Sequence, residues 1–103
     1  MSSMLHIINK SPLERNALDS CLRLAESGHS ILLIEDGVYA ALANASDAAT
    51  IAARMEDVSF HVLGPDVSAR GLSDTPLIEG IDVVDYEGFV DLVAEHEVSQ
   101  SWL

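Results

Sequence analysis

Residues 30–37 read SILLIEDG, an apolar run that stops abruptly at two acids and a glycine. An apolar run without alternating polar positions is typical of a strand buried on both faces, so a strand is predicted at Ser30–Ile34. Outward from it, three further short apolar runs predict strands at Met4–Asn9, Ser59–Leu63 and Ile81–Val84. The pair Leu77-Ile78 is the candidate for a fifth strand.

Helix signals lie between these runs. Ser11, Pro12 and Glu14 combine a capping serine, a proline at the first helical position and a capping-box acid. They predict a helix from about Pro12 to Glu26, ended by Gly28. The other predictions are a short helix over Val38–Ala43, a helix capped by Asp47 and ending at Met55, a turn capped by Asp66 and ending near Gly71, and a helix capped by Asp85 and running to about Glu95, with Phe89, Val90, Leu92 and Val93 facing inward.

Short buried strands that alternate with helices predict an α/β fold, with an open parallel sheet of four to five strands and helices on both faces. The 103 residues are expected to form one domain over 1–103, because two would each have too little interior. Ligands of such sheets bind at the carboxyl ends of the strands. The loop there, Asn9-Lys10-Ser11-Pro12, has no glycine to admit a phosphate, so no flavin or nucleotide cofactor is expected.

The composition is acidic and aliphatic. The net charge is −12, and residues 52–103, with two bases and eleven acids, carry −9 of it. The five bases are scattered, so direct binding to DNA or tRNA is not expected. A mean hydropathy of +0.23 in so charged a chain suggests apolar surface covered in an assembly, although a monomer with a rich aliphatic core has the same composition.

The expected location is the cytoplasm. The opening residues MSSMLHIIN lack the basic segment and the long apolar segment of a signal peptide. No apolar run approaches the roughly 18 residues of a membrane span, so no membrane contact is expected. The single cysteine excludes an internal disulfide, so the fold does not depend on an oxidising compartment.

Cys21 is the candidate nucleophile. Its neighbours at helical spacing are apolar: Ala17, Leu18, Leu24 and Ala25. A cysteine on such a stripe is usually a buried small hydrophobe with a raised pKa. Nothing local supplies a cation, because Arg23 is expected to point elsewhere and the helix N-terminus lies more than two turns away. The spacing alone therefore favours a packing role for Cys21.

The histidines and the tryptophan complete the set of candidate residues. The four histidines show no metal-ligand spacing, so no metal site is expected. His6 and His61 lie within strand runs and are expected to be hydrogen-bonded structural residues, whereas His29 and His96 are expected to be exposed. Trp102, one residue from the end, is expected either to dock into a subunit interface together with Leu103 or to pack on its own domain.

Several short motifs follow one another over nearly the whole chain. They are Leu5-His6 through Lys10-Ser11-Pro12, Cys21-Leu22-Arg23-Leu24, residues 33–41, Val62-Leu63-Gly64-Pro65-Asp66 with Ala69-Arg70-Gly71, Val84-Asp85-Tyr86 with Phe89-Val90, and the final Trp102-Leu103. Their order and spacing resemble the DsrH/TusB family of sulfur-relay subunits. The resemblance implies a three-layer flavodoxin-like domain without flavin. It also implies a sulfur carrier or sulfurtransferase subunit without complete catalytic machinery of its own.

The resemblance further implies partners. Family members assemble with DsrE-like and DsrF-like paralogues into a dimer of heterotrimers, which passes persulfide sulfur to a DsrC-like acceptor. One branch serves sulfur oxidation, and the TusB branch relays sulfur towards 2-thiouridine in tRNA. Cys21 matches a cysteine of the DsrH branch, and residues 33–41 also look closer to it, so the sulfur-oxidation branch is expected.

Two roles for the chain remain open within that resemblance. In one, Cys21 is itself a persulfide carrier. In the other, the chain is a structural subunit that scaffolds its paralogues, since the principal sulfur-accepting cysteine of the family belongs to the DsrE-like subunit.

Overall fold

A computed structural model describes residues 3–12 and 16–102 of the chain. Within them, the strands are β1 (Met4–Ile8), β2 (Ser30–Leu33), β3 (Ser59–Leu63), β4 (Asp82–Val84) and β5 (Val98–Trp102). The helices are α1 (Ala17–Leu24), α2 (Ala48–Arg54), α3 (Gly64–Ala69) and α4 (Tyr86–Glu95), with a 3₁₀ helix at Glu35–Ala41 between β2 and α2.

The five strands form one sheet in the order β4-β3-β2-β1-β5, and every neighbouring pair is parallel. This confirms the predicted open parallel sheet and its first four strands. The fifth strand is not at Leu77-Ile78, where that prediction is wrong: Leu77 makes only an isolated antiparallel bridge to Leu42. β5 lies instead at the sheet edge beyond β1, and its sequence VSQSW is largely exposed, so it lacks the apolar run that marks a buried strand.

Alternate side chains of the strands point to two sides of the sheet, which differ in their cover. On the first side, called here the Cys21 face, α1, the 3₁₀ helix, α2 and α3 enclose a core that includes Cys21, Ile8, Ile31, Leu33, Phe60 and Val62. On the other side, called here the α4 face, α4 packs Leu92 and partly buried Phe89 on a smaller cluster with Leu5 and Leu32. The predicted helices on both faces are thus confirmed.

The prediction for helix α4 is confirmed for its cap and for one buried side chain, and it is wrong for two others. The Asp85 cap is confirmed, because the backbone N–H of Gly88 donates to Asp85 Oδ1 at 2.8 Å. Leu92 is buried as expected. The inward orientation predicted for Val90 and Val93 is wrong, since their exposed fractions are 67% and 41%.

The 3₁₀ helix, α2 and α3 begin and end within a few residues of their predicted bounds, whereas α1 begins at Ala17 rather than near Pro12, which lies in a turn. Two caps expected for the later helices are absent. Asp47 precedes α2 without a side-chain cap hydrogen bond. Asp66 lies inside α3, which starts at Gly64, and it accepts a hydrogen bond from the Glu35 backbone instead of capping. The 3₁₀ helix begins three residues before the predicted Val38. Residues 13–15, which include part of the predicted start of the first helix, lie outside the described residues.

Within the described part of the chain, none of the helices combines the length and the apolar character needed to cross a membrane.

Candidate functional site

The carboxyl ends of β1 and β2 meet the 3₁₀ helix at a close approach. Gly37 lies against the end of β1, where a Cβ atom would stand 2.3 Å from the carbonyl oxygen of Ile8. A cavity of about 550 Å³ lies among the residues that follow these two strands, among them Ser11, Pro12, Asp36, Tyr39, Leu42 and Asn44. Parallel α/β sheets bind their ligands at this edge.

Two contacts, one from α3 and one from the residue that follows it, hold the wall of this cavity. Arg70 Nε donates to Asp36 Oδ1 at 2.9 Å, and the backbone N–H of Glu35 donates to Asp66 Oδ2 at 2.6 Å. Glu35 has a φ of 49°, a left-handed conformation that is costly for a residue other than glycine and that the Asp66 hydrogen bond helps to maintain. None of the described lining residues is a cysteine, so they offer no thiol that could carry sulfur in this cavity.

Cys21 lies on the inner side of α1 and has no exposed surface. Burial raises the pKa of its thiol to about 12, and the Arg54 charge lowers it only in part. The predicted burial is confirmed, and the thiol is protonated at neutral pH. A persulfide acceptor needs the thiolate, so this environment disfavours the carrier role, which stays a prediction.

The cation beside Cys21 is Arg54 of α2, which lies outside the local sequence from which no cation was expected. Arg54 donates from Nη1 to the carbonyl oxygen of Leu22 at 2.5 Å and from Nη2 to that of Ala25 at 2.8 Å. These carbonyls belong to the C-terminal end of α1, where a positive charge is favourable. No pattern in the sequence signals this contact, because Arg54 reaches α1 only through the packing of two helices.

A chain of hydrogen bonds links the last strand to the loop before β2. Trp102 Nε1–H donates to His6 Nδ1 at 3.1 Å, and His6 Nε2 lies 3.1 Å from His29 Nδ1. His29 Nδ1 also accepts from the backbone N–H of Glu26 at 3.1 Å, while His29 Nε2 lies 3.8 Å from Glu26 Oε2.

The hydrogen-bond donors determine which ring nitrogen of each histidine carries the proton. An indole nitrogen only donates, so His6 accepts at Nδ1 and carries its proton on Nε2. His6 then donates to His29 Nδ1, which leaves the His29 proton on Nε2, towards the Glu26 carboxylate. Burial lowers the pKa of His6, and the neighbouring His29 lowers it further, so the neutral tautomer required by Trp102 is the stable one.

The predictions for the two strand histidines are confirmed, and those for the two histidines expected to be exposed are wrong. His6 and His61 are hydrogen-bonded strand residues, as expected, with His61 Nδ1 3.0 Å from Asp82 Oδ2. His29 is buried rather than exposed. His96 is partly buried, since its ring nitrogens contact the Leu92 carbonyl oxygen at 2.6 Å and Ser30 Oγ at 2.9 Å. Both exposure predictions are wrong because they placed loop histidines by sequence position alone.

Trp102 ends β5 and packs against the core of the Cys21 face. One of its two predicted roles, packing on its own domain, is therefore seen in this chain. Its role in a subunit interface stays a prediction, and Leu103, named with it, lies outside the described residues. Among residues 3–12 and 16–102, no group of three or more His, Cys, Asp or Glu side chains is placed to hold a metal ion.

The parallel sheet, its two helical layers and the glycine-poor loop after β1 define a small three-layer α/β protein of the flavodoxin-like class. Its sequence identifies the family more closely. The model of the family described as DsrH like protein matches residues 10–99, and the chain belongs to this family.

Relatives of known name agree with that assignment. Protein TusB of Pectobacterium parmentieri is 35% identical over 99 residues, covering 96% of this chain and 100% of the relative. Protein TusB of Yersinia pestis (strain Pestoides F) is 36% identical over 100 residues with the same coverage. Among solved structures, the ychN protein from E. coli has a TM-score of 0.86 at 20% identity, covering 98% of this chain and 99% of that one. MTH1491 from Methanobacterium thermoautotrophicum has a TM-score of 0.74 at 17% identity, with the same coverage. These two likenesses concern the fold alone.

Proposed function

We propose that this chain is the TusB-type subunit of a cytoplasmic sulfur relay that serves 2-thiolation of the wobble uridine of tRNA. Support comes from relatives named TusB that align over their entire length at 35–36% identity. The net charge of −12 is compatible with this role, because the relay does not require this subunit to bind tRNA.

In this proposal the chain works in a dimer of heterotrimers with DsrE-like and DsrF-like paralogues, and the complex hands persulfide sulfur to a DsrC-like acceptor. The family resemblance implies these partners. The apolar side chains that the isolated chain exposes on α4 give the assembly independent support.

We further propose that the chain is the structural subunit of the complex and that the sulfur travels on the cysteines of its partners. The single observation that carries this proposal is the state of Cys21, which is fully buried with a pKa raised to about 12. The described cavity at the strand ends adds no second thiol, because Cys21 is the one cysteine of the sequence.

The sulfur-oxidation branch is the second candidate. The matching family model is the DsrH one, and the resemblance of Cys21 and of residues 33–41 to the DsrH branch favours it. The same structural role for the chain would apply in that branch, because Cys21 is equally buried whichever acceptor receives the sulfur.

Complementation separates the two candidates. The gene is introduced with those of its two paralogues into a bacterium that lacks TusB, and the 2-thiouridine of digested tRNA is measured by liquid chromatography and mass spectrometry. Restored 2-thiouridine is the expected result. If thiolation stays absent while the same genes restore oxidation of stored sulfur in a DsrH-deficient sulfur oxidiser, the second candidate replaces the first.

A Cys21→Ala variant in the same strain tests the structural role. We expect thiolation to persist, because the proposal assigns no sulfur to this residue. A loss of thiolation in a complex that still assembles would contradict it.

A further inference from the structure

Helix α4 exposes an apolar row to solvent. Tyr86, Val90 and Val93 follow one another at spacings of four and three residues, which places them on one side of the helix. Their exposed fractions are 61%, 67% and 41%, so each leaves a large part of its side chain in water. Three such residues in one row form an unpaired apolar strip rather than a single scattered side chain.

An acidic row runs beside the apolar one. Glu87, Asp91 and Glu95 follow at spacings of four residues, each one or two positions after a member of the apolar row, and all three are exposed. No base lies in α4, and Asp85 and Glu97 stand just before it and soon after it. The helix therefore offers an apolar strip with a strongly negative border, called here the α4 surface: Tyr86, Val90, Val93, Glu87, Asp91 and Glu95.

Charge decides which kind of partner fits the α4 surface. A second copy of this chain would bring another body of net charge −12 and, with the two helices antiparallel, the same carboxylates against these. Like charges face to face oppose association, whereas a basic border on the partner would complement them. The strip itself requires apolar side chains opposite, because polar groups there would lose water without a hydrogen-bond partner.

We propose that the α4 surface is the docking site for one of the paralogous subunits, which presents apolar side chains bordered by lysine or arginine. This inference rests on the proposed assembly and names the part of the chain that makes it. Docking here covers the one described helix of the α4 face and leaves the Cys21 face undisturbed.

The test compares two exposed apolar residues on opposite sides of the molecule. Val90→Asn replaces the centre of the apolar row, and Leu24→Asn is the matched control, because Leu24 is 63% exposed on α1, on the other side of the sheet. Each variant is produced with both paralogues, and the affinity for them is measured by titration and analytical ultracentrifugation. Val90→Asn is expected to weaken assembly roughly tenfold or more, and Leu24→Asn to leave it within about twofold.

The triple variant Glu87→Lys, Asp91→Lys, Glu95→Lys tests the basic border of the partner. It is expected to weaken assembly and to remove most of the salt dependence that the unmodified chain shows. Far-ultraviolet circular dichroism checks that each variant keeps its fold, which is expected because all the changed residues are exposed.

The outcomes separate this inference from the proposed function. If the unmodified chain does not bind the paralogues, the proposed assembly fails, and the inference with it. If it binds them and Val90→Asn binds as well, the docking site lies elsewhere and only the inference is overturned. Self-association of the chain alone that Val90→Asn abolishes would also overturn it, since the occupant would then be a second copy.

Discussion

The two sides of the sheet differ in what covers them. The Cys21 face is closed by three α-helices and a 3₁₀ helix, and its strand residues Ile8, Ile31 and Leu33 have no exposed surface. The α4 face carries one described helix, which buries Leu92 yet leaves Tyr86 and Val90 largely in solvent. A parallel sheet normally has both faces covered, so the second face is less complete in the isolated chain.

The difference in cover suggests that one face mainly stabilises the fold and that the other is available to bind a partner. The closed face provides most of the buried apolar area, which is the main source of folding free energy. It also encloses the one cysteine, whose burial raises the pKa of the thiol and so disfavours its reaction with sulfur. The more open face contributes less to folding and displays the apolar and acidic rows from which docking is inferred.

The largest expected contrast is in core truncation. Ile31→Ala on the closed face removes a fully buried side chain and should cost about 2–5 kcal/mol of unfolding free energy, because it leaves a cavity that neighbours fill only in part. Val90→Ala on α4 should change stability by no more than about 0.5 kcal/mol. Urea unfolding of both variants measures the contrast, and equal losses would mean that the two faces are equally closed.

The second largest loss of stability is expected where the 3₁₀ helix contacts β1. Gly37→Ala would place a methyl group 2.3 Å from the Ile8 carbonyl oxygen, and the backbone shift needed should cost about 1–3 kcal/mol. Gly64→Ala is the control, because its nearest neighbour is a Val83 methyl group at 3.1 Å that can rotate away. A Gly37→Ala melting temperature equal to that of the control would show that this approach is not tight.

Trp102 gives a smaller effect on the closed face. Trp102→Phe keeps an aromatic ring at the end of β5 but deletes the N–H that His6 accepts. We expect a loss of about 0.5–1.5 kcal/mol in unfolding free energy, the usual worth of one hydrogen bond. Amide exchange of β5 should rise in this variant and stay unchanged in α4. Unaltered β5 exchange would mean that strand pairing alone holds the last strand.

The pH dependence of the unfolding free energy tests whether His6 is neutral in the folded chain. Its pKa is lowered by burial and by His29 from an ordinary value of 6.5, so below that pH the unfolded chain binds a proton that the folded chain does not. Stability should therefore be complete above about pH 6.5 and decline as the pH falls. His6→Gln, whose amide can still accept from Trp102, should flatten this decline in urea titrations between pH 8 and pH 5. A decline of unchanged steepness would assign it to other groups.

Much of the fold followed from local patterns, and the departures have physical reasons. Buried parallel strands are apolar throughout, so Ser30–Leu33 and Ser59–Leu63 were visible as runs. β5 was missed because an edge strand can be polar and is held by backbone pairing to β1. Val90 was misplaced because the 3.6-residue period marks an apolar side of a helix without saying whether the chain's own core or another surface covers it.

The candidate site was less accessible to sequence reasoning. The apolar spacing around Cys21 predicted its burial, and the structure adds a pKa of about 12. Arg54 beside it and the link from Trp102 through His6 to His29 join distant parts of the chain. Contacts of this kind are created by the tertiary fold, and a single sequence carries no periodic signal for them.

The most direct test of the account is to find where sulfur is carried. The complex with its paralogues is loaded with a persulfide donor, digested under conditions that preserve persulfides, and its cysteine peptides are weighed by mass spectrometry. The account expects an adduct of about 32 Da, one sulfur atom, on a partner's cysteine and none on the peptide containing Cys21. An adduct on the Cys21 peptide that Cys21→Ser abolishes in an intact complex, with a matching fall in transfer to the acceptor, would contradict it and make this chain a carrier.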